Sequence, residues 1–276
     1  LTLPMSGTGS AAMEATLANT VEPADTVLAA VKGCFGLRLA DMAGRYRATV
    51  KTIEKPWGEW FSLEELESAL IEHKPAILAL VHAETSTGVC QPMDGVGDLC
   101  RKHDCLLLLD TVTSLGGVPL YIDEWKVDLA YSCSQKGLSC PPGLGPFTMG
   151  PRAEEKMATR SGKVPNWYLD VSLLNQYWGS DRVYHHTAPV NMNFGMREAL
   201  RLLAEEGLDQ AWARHRRNAE RLWSGLERQG LSMHVPEELR LPTLTTVRIP
   251  DGVDGKAFSQ HLLNTHGIEV GGGLGS

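Results

Sequence analysis

The sequence predicts an α/β fold in which a mostly parallel sheet has helices on both faces and a smaller α/β domain follows at the C-terminal end. Apolar runs of strand length alternate with helical patterns through the first half of the chain, and such alternation is typical of parallel strands joined by helical crossovers. A second observation is chemical. One predicted strand ends in Asp110 and the next is followed closely by Lys136, so both side chains are expected at the carboxyl edge of one sheet.

Six runs have the length and composition of strands, and we predict strands over residues 26–31, 48–53, 76–82, 105–110, 128–132 and 146–149. A helix is predicted between the second and the third, because Ser62-Leu63-Glu64-Glu65 has the spacing of a capping box. We expect its apolar positions to form one buried face, namely Leu63, Leu66, Leu70 and Ile71.

The pattern then changes to longer amphipathic helices, and Gly207 separates two of them. The elements that we predict in this part are helices over 196–206 and 208–229, strands near Met233 and over 243–249, and a helix over 255–266. We therefore expect a large domain over residues 1–206 and a small, incomplete C-terminal domain over residues 207–276.

Composition excludes several classes of protein. With 276 residues, 43% of them apolar, and a net charge of −7 without a basic tract, the chain can bury a large core and offers no basic surface for nucleic acid or membranes. No apolar run approaches the roughly 20 residues of a membrane-spanning helix, and Leu1-Thr2-Leu3-Pro4 does not resemble a signal peptide. Six cysteines without a Cys-x-x-Cys spacing predict free thiols in a reducing compartment. We expect a cytoplasmic protein.

An acid and an amine at one edge of a sheet suit pyridoxal phosphate (PLP). This cofactor needs an amine that holds its aldehyde as a Schiff base and an acid that keeps its ring nitrogen protonated, so that the ring withdraws electrons. Lys136 is the candidate amine and Asp110 the candidate acid. Taken alone, Lys136 is more typical of a surface lysine, and Asp110 is more typical of an N-cap or turn residue. We expect burial among apolar walls to keep the Lys136 amine free to attack carbonyl groups near neutral pH.

The segment Ser6-Gly7-Thr8-Gly9-Ser10 precedes a strong helix former, so its amides are expected to point at a loop that accepts phosphate. The spacing fits neither the Walker motif nor the dinucleotide fingerprint, and an ordinary capped turn is the alternative. Phe35 and Val112 are candidates to lie against the two faces of a planar ring, with a place in the core as the alternative for Phe35. The adjacent His185 and His186 do not predict a metal site, because neighbours on an extended segment point to opposite faces.

Six motifs follow one another along nearly the whole chain. They are Ser6-Gly7-Thr8-Gly9-Ser10, Glu84-Thr85-Ser86-Thr87-Gly88, Asp110-Thr111-Val112-Thr113-Ser114-Leu115-Gly116-Gly117, Ser134-Gln135-Lys136-Gly137, Pro141-Pro142-Gly143 and Tyr184-His185-His186-Thr187. In order and spacing this set resembles the alanine-glyoxylate and serine-pyruvate aminotransferase family, which belongs to fold type I of the PLP-dependent enzymes. The resemblance implies transfer of an amino group from serine or alanine to glyoxylate through pyridoxamine phosphate, giving glycine and a 2-keto acid.

The resemblance also implies a role for each catalytic candidate. Lys136 would form the Schiff base and later move the substrate's α-proton, and Asp110 would pair with the pyridinium nitrogen. The residues that would hold the phosphate are Ser6, Gly7, Thr8 and Gln135.

Further residues would complete the site. The resemblance implies that Thr85 bonds the ring hydroxyl and that Phe35, where the family commonly has Trp, covers one face of the ring opposite Val112. It implies that Tyr184 and Thr187 reach the phosphate of a partner subunit, so that the protein is a homodimer with shared active sites.

Two departures from the family pattern lead us to expect a piece of a longer chain. The family's arginine for the substrate carboxylate lies beyond the Gly-Gly-Leu-Gly loop, at which this sequence stops, and the family has a further N-terminal segment before residue 1. One alternative function is a PLP-dependent carbon-sulfur lyase, such as a cysteine desulfurase, with Cys133 or Cys140 as the reactive thiol. The other is a non-catalytic fragment. A peroxisome is the alternative location.

Overall fold

A seven-stranded sheet forms the centre of the computed structural model, which describes residues 1–274. The nine strands are β1 (Thr2–Ser6), β2 (Thr26–Val31), β3 (Thr49–Glu54), β4 (Ile77–Val81), β5 (Ala83–Glu84), β6 (Val89–Cys90), β7 (Leu106–Asp110), β8 (Leu129–Tyr131) and β9 (Leu144–Met149). The order across the sheet is β1-β9-β8-β7-β4-β2-β3, and β5 and β6 form a separate antiparallel pair. In this sheet β9 is antiparallel to both of its neighbours, and all other neighbouring strands are parallel. The carboxyl ends of the other six strands therefore lie at one edge.

All six predicted strands are confirmed, with ends within two residues of the prediction. The sequence pattern missed β1 and the β5-β6 pair. β1 contains Pro4, which is tolerated because β1 is an edge strand that pairs on one side only, with β9. The strand predicted over 146–149 begins earlier, at Leu144, because β9 also pairs with β1 along its whole length.

The helices cover both faces of the sheet. They are α1 (Gly9–Thr20), α2 (Cys34–Arg45), α3 (Leu63–His73), α4 (Val96–Lys102), α5 (Pro151–Ala158), α6 (Val171–Trp178), α7 (Val190–Glu206), α8 (Leu208–Arg228) and α9 (Gly255–His266). Alternate residues of each central strand enter two different cores. In β7, for example, Leu106 and Leu108 pack on the side of α1 and α2, whereas Leu107 and Leu109 pack on the side of α3 and α4.

The predicted capping box at the start of α3 is present, with the Ser62 and Glu65 side chains each bonded to the other's backbone N–H. The predicted buried face was wrong in part. Leu63 and Ile71 are exposed, and the side that meets the sheet consists of Leu66, Ala69 and Leu70. The buried face of α3 is rotated about the helix axis by about one residue from the predicted face. Four apolar positions are too few to fix this orientation.

In the C-terminal part, the helices are confirmed and the strands are not. α9 spans the predicted residues, α8 ends one residue early, and α7 begins six residues before the predicted start. Between α8 and α9, the described chain forms no regular strand and takes part in two isolated bridges, Met233 with Val247 and Arg240 with Val89. This segment instead packs Val235 and Leu239 against Val89, so its apolar residues are buried without a sheet. The division at residues 206 and 207 stays a prediction.

Two general properties bear on function. All six cysteines are free thiols, and four of them are buried. Across residues 1–274, the structure contains no helix with the length and apolar character needed to cross a membrane. The last two residues of the C-terminal glycine loop, 275 and 276, lie outside the described residues.

Close packing at Gly97 gives a test of the fold. A Cβ atom on Gly97 would overlap the carbonyl oxygen of Trp125 and lie 2.9 Å from its carbonyl carbon, so Gly97→Ala must push α4 away from the chain that leads into β8. We expect a loss of at least about 2 kcal/mol in the free energy of unfolding, measured by urea denaturation.

Gly225→Ala in α8 is the matched control, because a Cβ there meets no atom within 4 Å. Removing a glycine from an exposed helix should raise stability by roughly 0.5–1 kcal/mol. Equal effects of the two substitutions would contradict the packing described for α4.

Candidate active site

Asp110 lies at the carboxyl edge of the sheet, where the parallel strands end. It is the last residue of β7 and is 1% exposed. One carboxylate oxygen accepts the Val112 N–H at 2.8 Å, and the other accepts the Tyr131 hydroxyl at 2.6 Å. Burial raises the pKa of Asp110 to about 6, although both hydrogen bonds act in the opposite direction. The carboxylate therefore occupies a place where its charge is unfavourable unless a cation joins it.

The glycine-rich segment 6–10, which was predicted to bind phosphate, lies between the end of β1 and the start of α1. Gly7 has φ +152°, which side chains rarely adopt, and its N–H donates to the Gly143 carbonyl at 3.0 Å. Thr8 is the N-cap residue of α1, but its side chain caps none of the helix amides. The first amides of α1 are therefore left without a side-chain cap, as a site for an anion requires.

Three separate segments meet at Gly9. A Cβ on Gly9 would lie 2.8 Å from the Cβ of Cys133, 3.3 Å from the Ser132 carbonyl oxygen and 3.5 Å from a methyl group of Val112. The start of α1, the loop after β7 and the segment after β8 are thus in contact. Only a residue without a side chain allows this approach.

Lys136 follows this contact point in the turn between β8 and β9. Its side chain is exposed in the single chain, and so is that of Gln135. The expectation that apolar burial surrounds the Lys136 amine was therefore wrong for this chain. The reason is local, because the strand ends at Tyr131 and the chain turns outward before it reaches residue 136.

Thr85 and Phe35 are joined to the site through backbone and hydroxyl contacts. The Thr85 hydroxyl lies 2.5 Å from the Thr113 hydroxyl, in the loop that follows Asp110. Phe35 is half-buried in the first turn of α2, and its N–H donates to a Glu84 carboxylate oxygen at 3.4 Å. Both residues lie at the same sheet edge as Asp110.

Tyr184 and Thr187 lie on the surface of this chain, and their hydroxyls are 3.3 Å apart. Their neighbour His186 has its Nε2 atom 2.6 Å from the Ser6 hydroxyl. The segment is therefore held beside the glycine turn of its own chain, whereas its two hydroxyls face outward. Their proposed contact with a partner subunit stays a prediction.

Sequence reasoning missed several buried polar residues at this edge. The Tyr131 hydroxyl donates directly to Asp110, and the two residues pair in register on neighbouring strands. The sequence clue to this role was a tyrosine in an otherwise apolar strand. Glu84, Lys32 and His82 are each at most 3% exposed. Glu84 stands in one of the quoted motifs without an assigned role, and no sequence pattern indicated that Lys32 and His82 are buried.

The site residues fit PLP on structural grounds. Asp110 is a desolvated acid whose charge a protonated ring nitrogen would balance. The glycine turn offers uncapped helix amides to a phosphate, and Thr85 offers a hydroxyl. No group of three or more potential metal ligands occurs within residues 1–274.

Fold and site together define an enzyme of the fold type I class of PLP-dependent proteins. The Aminotransferase class-V family matches residues 3–276, and the chain belongs to this family. It is 44% identical to mouse alanine–glyoxylate aminotransferase over 279 aligned positions, which cover all of this chain and 67% of the mouse protein. It is 37% identical to (S)-ureidoglycine–glyoxylate transaminase of Bacillus subtilis, over 99% of this chain and 70% of that protein.

A solved structure agrees with this assignment. The crystal structure of alanine–glyoxylate aminotransferase from Nostoc sp. superposes with a TM-score of 0.98 and 68% identity, and the match covers all of this chain and 73% of that chain. The resemblance to aminotransferases and the fold expected from the sequence are therefore confirmed.

The raised pKa of Asp110 predicts how its removal affects stability. Its pKa is about 6 in the folded chain and 3.8 in its ordinary state, so the unfolded chain ionises first and the fold loses stability as pH rises through about 6. In the cofactor-free protein, Asp110→Asn should raise the free energy of unfolding at pH 8 by about 2 kcal/mol and change it little at pH 4.

Thermal and urea unfolding at the two pH values measure this difference. Asp41→Asn is the control, because Asp41 is exposed and pairs only with Arg45 on the same helix. A stability change for Asp110→Asn that is the same at both pH values would contradict a desolvated carboxylate.

Proposed function

We propose that this protein is a PLP-dependent aminotransferase that moves an amino group from serine or alanine to glyoxylate, giving glycine and a 2-keto acid. The observation that carries the proposal is the buried Asp110 carboxylate at the end of β7, with the Lys136 segment following the neighbouring strand β8. Family membership supports the reaction type. The two curated relatives named above both have glyoxylate in their names, which supports glyoxylate as the acceptor.

Bound PLP supplies a ring that stabilises negative charge at the substrate's α-carbon. Asp110 holds the proton on the ring nitrogen, because a buried carboxylate favours a cationic partner over a neutral one. Tyr131 and the Val112 N–H fix the two carboxylate oxygens, so the acid keeps its orientation during turnover.

Lys136 is proposed to anchor the cofactor and to act as the general base. With the cofactor bound, Lys136 Nζ would be the group that carries the proton of the substrate's α-carbon. The exposed position of Lys136 in the single chain gives its amine access to an incoming amino acid.

The remaining candidates bind and orient. The phosphate is assigned to Ser6, Gly7, Thr8 and Gln135. Thr85 is proposed to bond the ring hydroxyl, and its contact with Thr113 ties it to the Asp110 loop. Phe35 and Val112 are proposed to cover opposite faces of the ring. A guanidinium ion lies on Phe35, since the Cζ atom of Arg38 is 4.8 Å from the ring centroid.

We infer a homodimer in which Tyr184 and Thr187 reach the phosphate of the partner subunit. The outward-facing hydroxyls and the 74% exposed Tyr184 ring support this arrangement, because an aromatic side chain with a polar tip is typical of an interface. We propose a cytoplasmic location, which six free thiols suit.

A carbon-sulfur lyase is less well supported. Such an enzyme needs an accessible and reactive thiolate, but Cys133 and Cys140 are both buried. Burial raises the pKa of both thiols, so they stay protonated and poorly nucleophilic at neutral pH. The thiols therefore favour transamination over sulfur removal.

Covalent trapping tests the anchor. With PLP added, the chain should gain a visible absorbance band, and reduction with borohydride followed by peptide mapping should place the label on Lys136. Lys136→Ala should lose the band and the label. Lys102→Ala is the control, because Lys102 lies before β7, at the opposite edge of the sheet, where it pairs with Glu67.

A label on another lysine would overturn the assignment of the anchor. Absence of a band in both the original chain and Lys136→Ala would favour the non-catalytic fragment instead. Since Lys102→Ala keeps every proposed site residue, its band should equal that of the original chain.

Steady-state kinetics test the reaction. Initial rates with alanine or serine against glyoxylate should give parallel lines in double-reciprocal plots, because the amino group is stored on the cofactor between two half-reactions. Asp110→Asn should lower kcat/KM by at least about 100-fold, since it removes the charge that stabilises the electron sink. Intersecting lines, or sulfide release from cysteine without glycine formation, would contradict the proposal.

A further inference from the structure

A buried lysine that the mechanism does not use lies at the active-site edge. Lys32 follows the last residue of β2 and is fully buried. Its Nζ atom donates to the Val81 carbonyl at 2.5 Å, and Val81 is the residue of β4 that pairs in register with Asp110 of β7. Because neighbouring strands are about 4.8 Å apart, the ammonium lies at the same level of the sheet as the Asp110 carboxylate.

Glu84 is the second buried charge at this edge. It is fully buried in β5, and one of its oxygens accepts the Ser86 hydroxyl at 2.6 Å and the Phe35 N–H at 3.4 Å. Within residues 1–274, its other oxygen has no hydrogen-bond partner. A Cβ on Gly33 would overlap this side chain, so the carboxylate is pressed against the start of α2.

The surrounding titratable groups do not balance these charges. His82 is buried and stays neutral, because burial and then the nearby Lys32 lower its pKa to about 3. Burial raises the pKa of Cys90 to about 11, so its thiol is neutral as well. Tyr131 is neutral and bonded to Asp110. The buried charged groups that face this space are therefore one ammonium and two carboxylates.

Two exposed cations lie beside this space. Arg38 on α2 acts on Tyr131, and Arg216 on α8 acts on Cys90. Solvent screens both guanidinium groups, so they are not part of the buried charge.

We propose that Lys32 is a positioning residue that neutralises Glu84, so that Asp110 alone offers an unbalanced negative charge to a protonated ring nitrogen. This inference rests on the proposed function for the identity of the ring. One cation and two anions leave a net charge of −1 among the buried groups, and a pyridinium ion brings it to zero. Without Lys32 the same space would hold a net charge of −2, and the acid would take up a proton instead of stabilising one on the ring.

The pKa shifts of Asp110 and Lys32 agree with this assignment. Burial is the main cause that raises the pKa of Asp110, Glu84 raises it further, and Lys32 lowers it. Burial lowers the pKa of Lys32 to about 8, and Glu84 is the foremost of the groups that oppose this change. Lys32 is therefore still an ammonium ion at neutral pH. Glu84 acts on it through space, since the hydrogen bond of Lys32 goes to the Val81 carbonyl.

Three variants separate this role from a merely structural one. Lys32→Met keeps an unbranched side chain, shorter by the ammonium group, and removes its charge. Glu84→Gln keeps the acceptor oxygen for Ser86. The double variant removes both charges. The first readout needs no cofactor and follows the titration of Asp110 by NMR of ¹³C-labelled aspartate carboxyl groups, assigned with Asp110→Asn. The second readout is the pH at which PLP affinity has fallen to half of its maximum as the solution is made more acidic.

Lys32→Met should raise both midpoints by about one pH unit or more, and Glu84→Gln should lower both by a similar amount, because each removes one charge close to the carboxylate. In the double variant the midpoints should return to within about half a unit of the original protein, because the two removals cancel. Lys156→Met is the control for loss of a structural cation, since Lys156 lies on α5 and pairs with Asp25 before β2.

Unchanged midpoints in Lys32→Met, or a double variant that shifts as far as Lys32→Met, would overturn the inference. If Lys32→Met does not fold, Glu84→Gln and the double variant still decide, because a structural role predicts no opposite shift and no return. Failure of the original chain to bind PLP would overturn the proposed function only, since the carboxyl titration of the cofactor-free chain would still report on Lys32.

Discussion

The cost of burying a carboxylate at the end of a parallel strand governs this structure. Six strands point the same way, so their carboxyl ends meet at one edge, and Asp110 is delivered there with 1% exposure. Water cannot stabilise its charge, and two hydrogen bonds offset the penalty only in part. A fold that keeps such a group favours a cationic partner, and the partner that we propose is the ring nitrogen of PLP.

Packing explains how the other site residues come into reach. Gly9 lets α1 approach Cys133 and Val112, which brings the anion-binding end of the helix to the loop that follows Asp110. The contact between the Thr85 and Thr113 hydroxyls ties a third segment to that loop. The candidate site is therefore assembled by backbone proximity around one buried acid, and Lys136 is its exposed part.

The sequence predicted most of the large sheet, because the central strands are buried on both faces and their apolar runs are unambiguous. It failed where burial is one-sided or irregular. β1 contains a proline at an edge, and the Met233 segment buries its apolar residues without a ladder. The candidate residues Asp110, Gly7 and Thr85 were found by motif, whereas Lys32 and His82 were missed, because nothing in a local pattern distinguishes a buried lysine or histidine from a surface one.

These omissions have a common physical cause. Motifs record groups that meet the ligand, while a charge that balances them can come from a distant position, as Lys32 does from the end of β2. Two buried carboxylates at one edge would repel each other and become protonated. A single buried ammonium beside them offsets one of the two negative charges, and in the arrangement proposed above Asp110 carries the charge that is left. The electrostatic state of the site is thus a property of the sheet edge as a whole, and it cannot be derived from Asp110 and Lys136 alone.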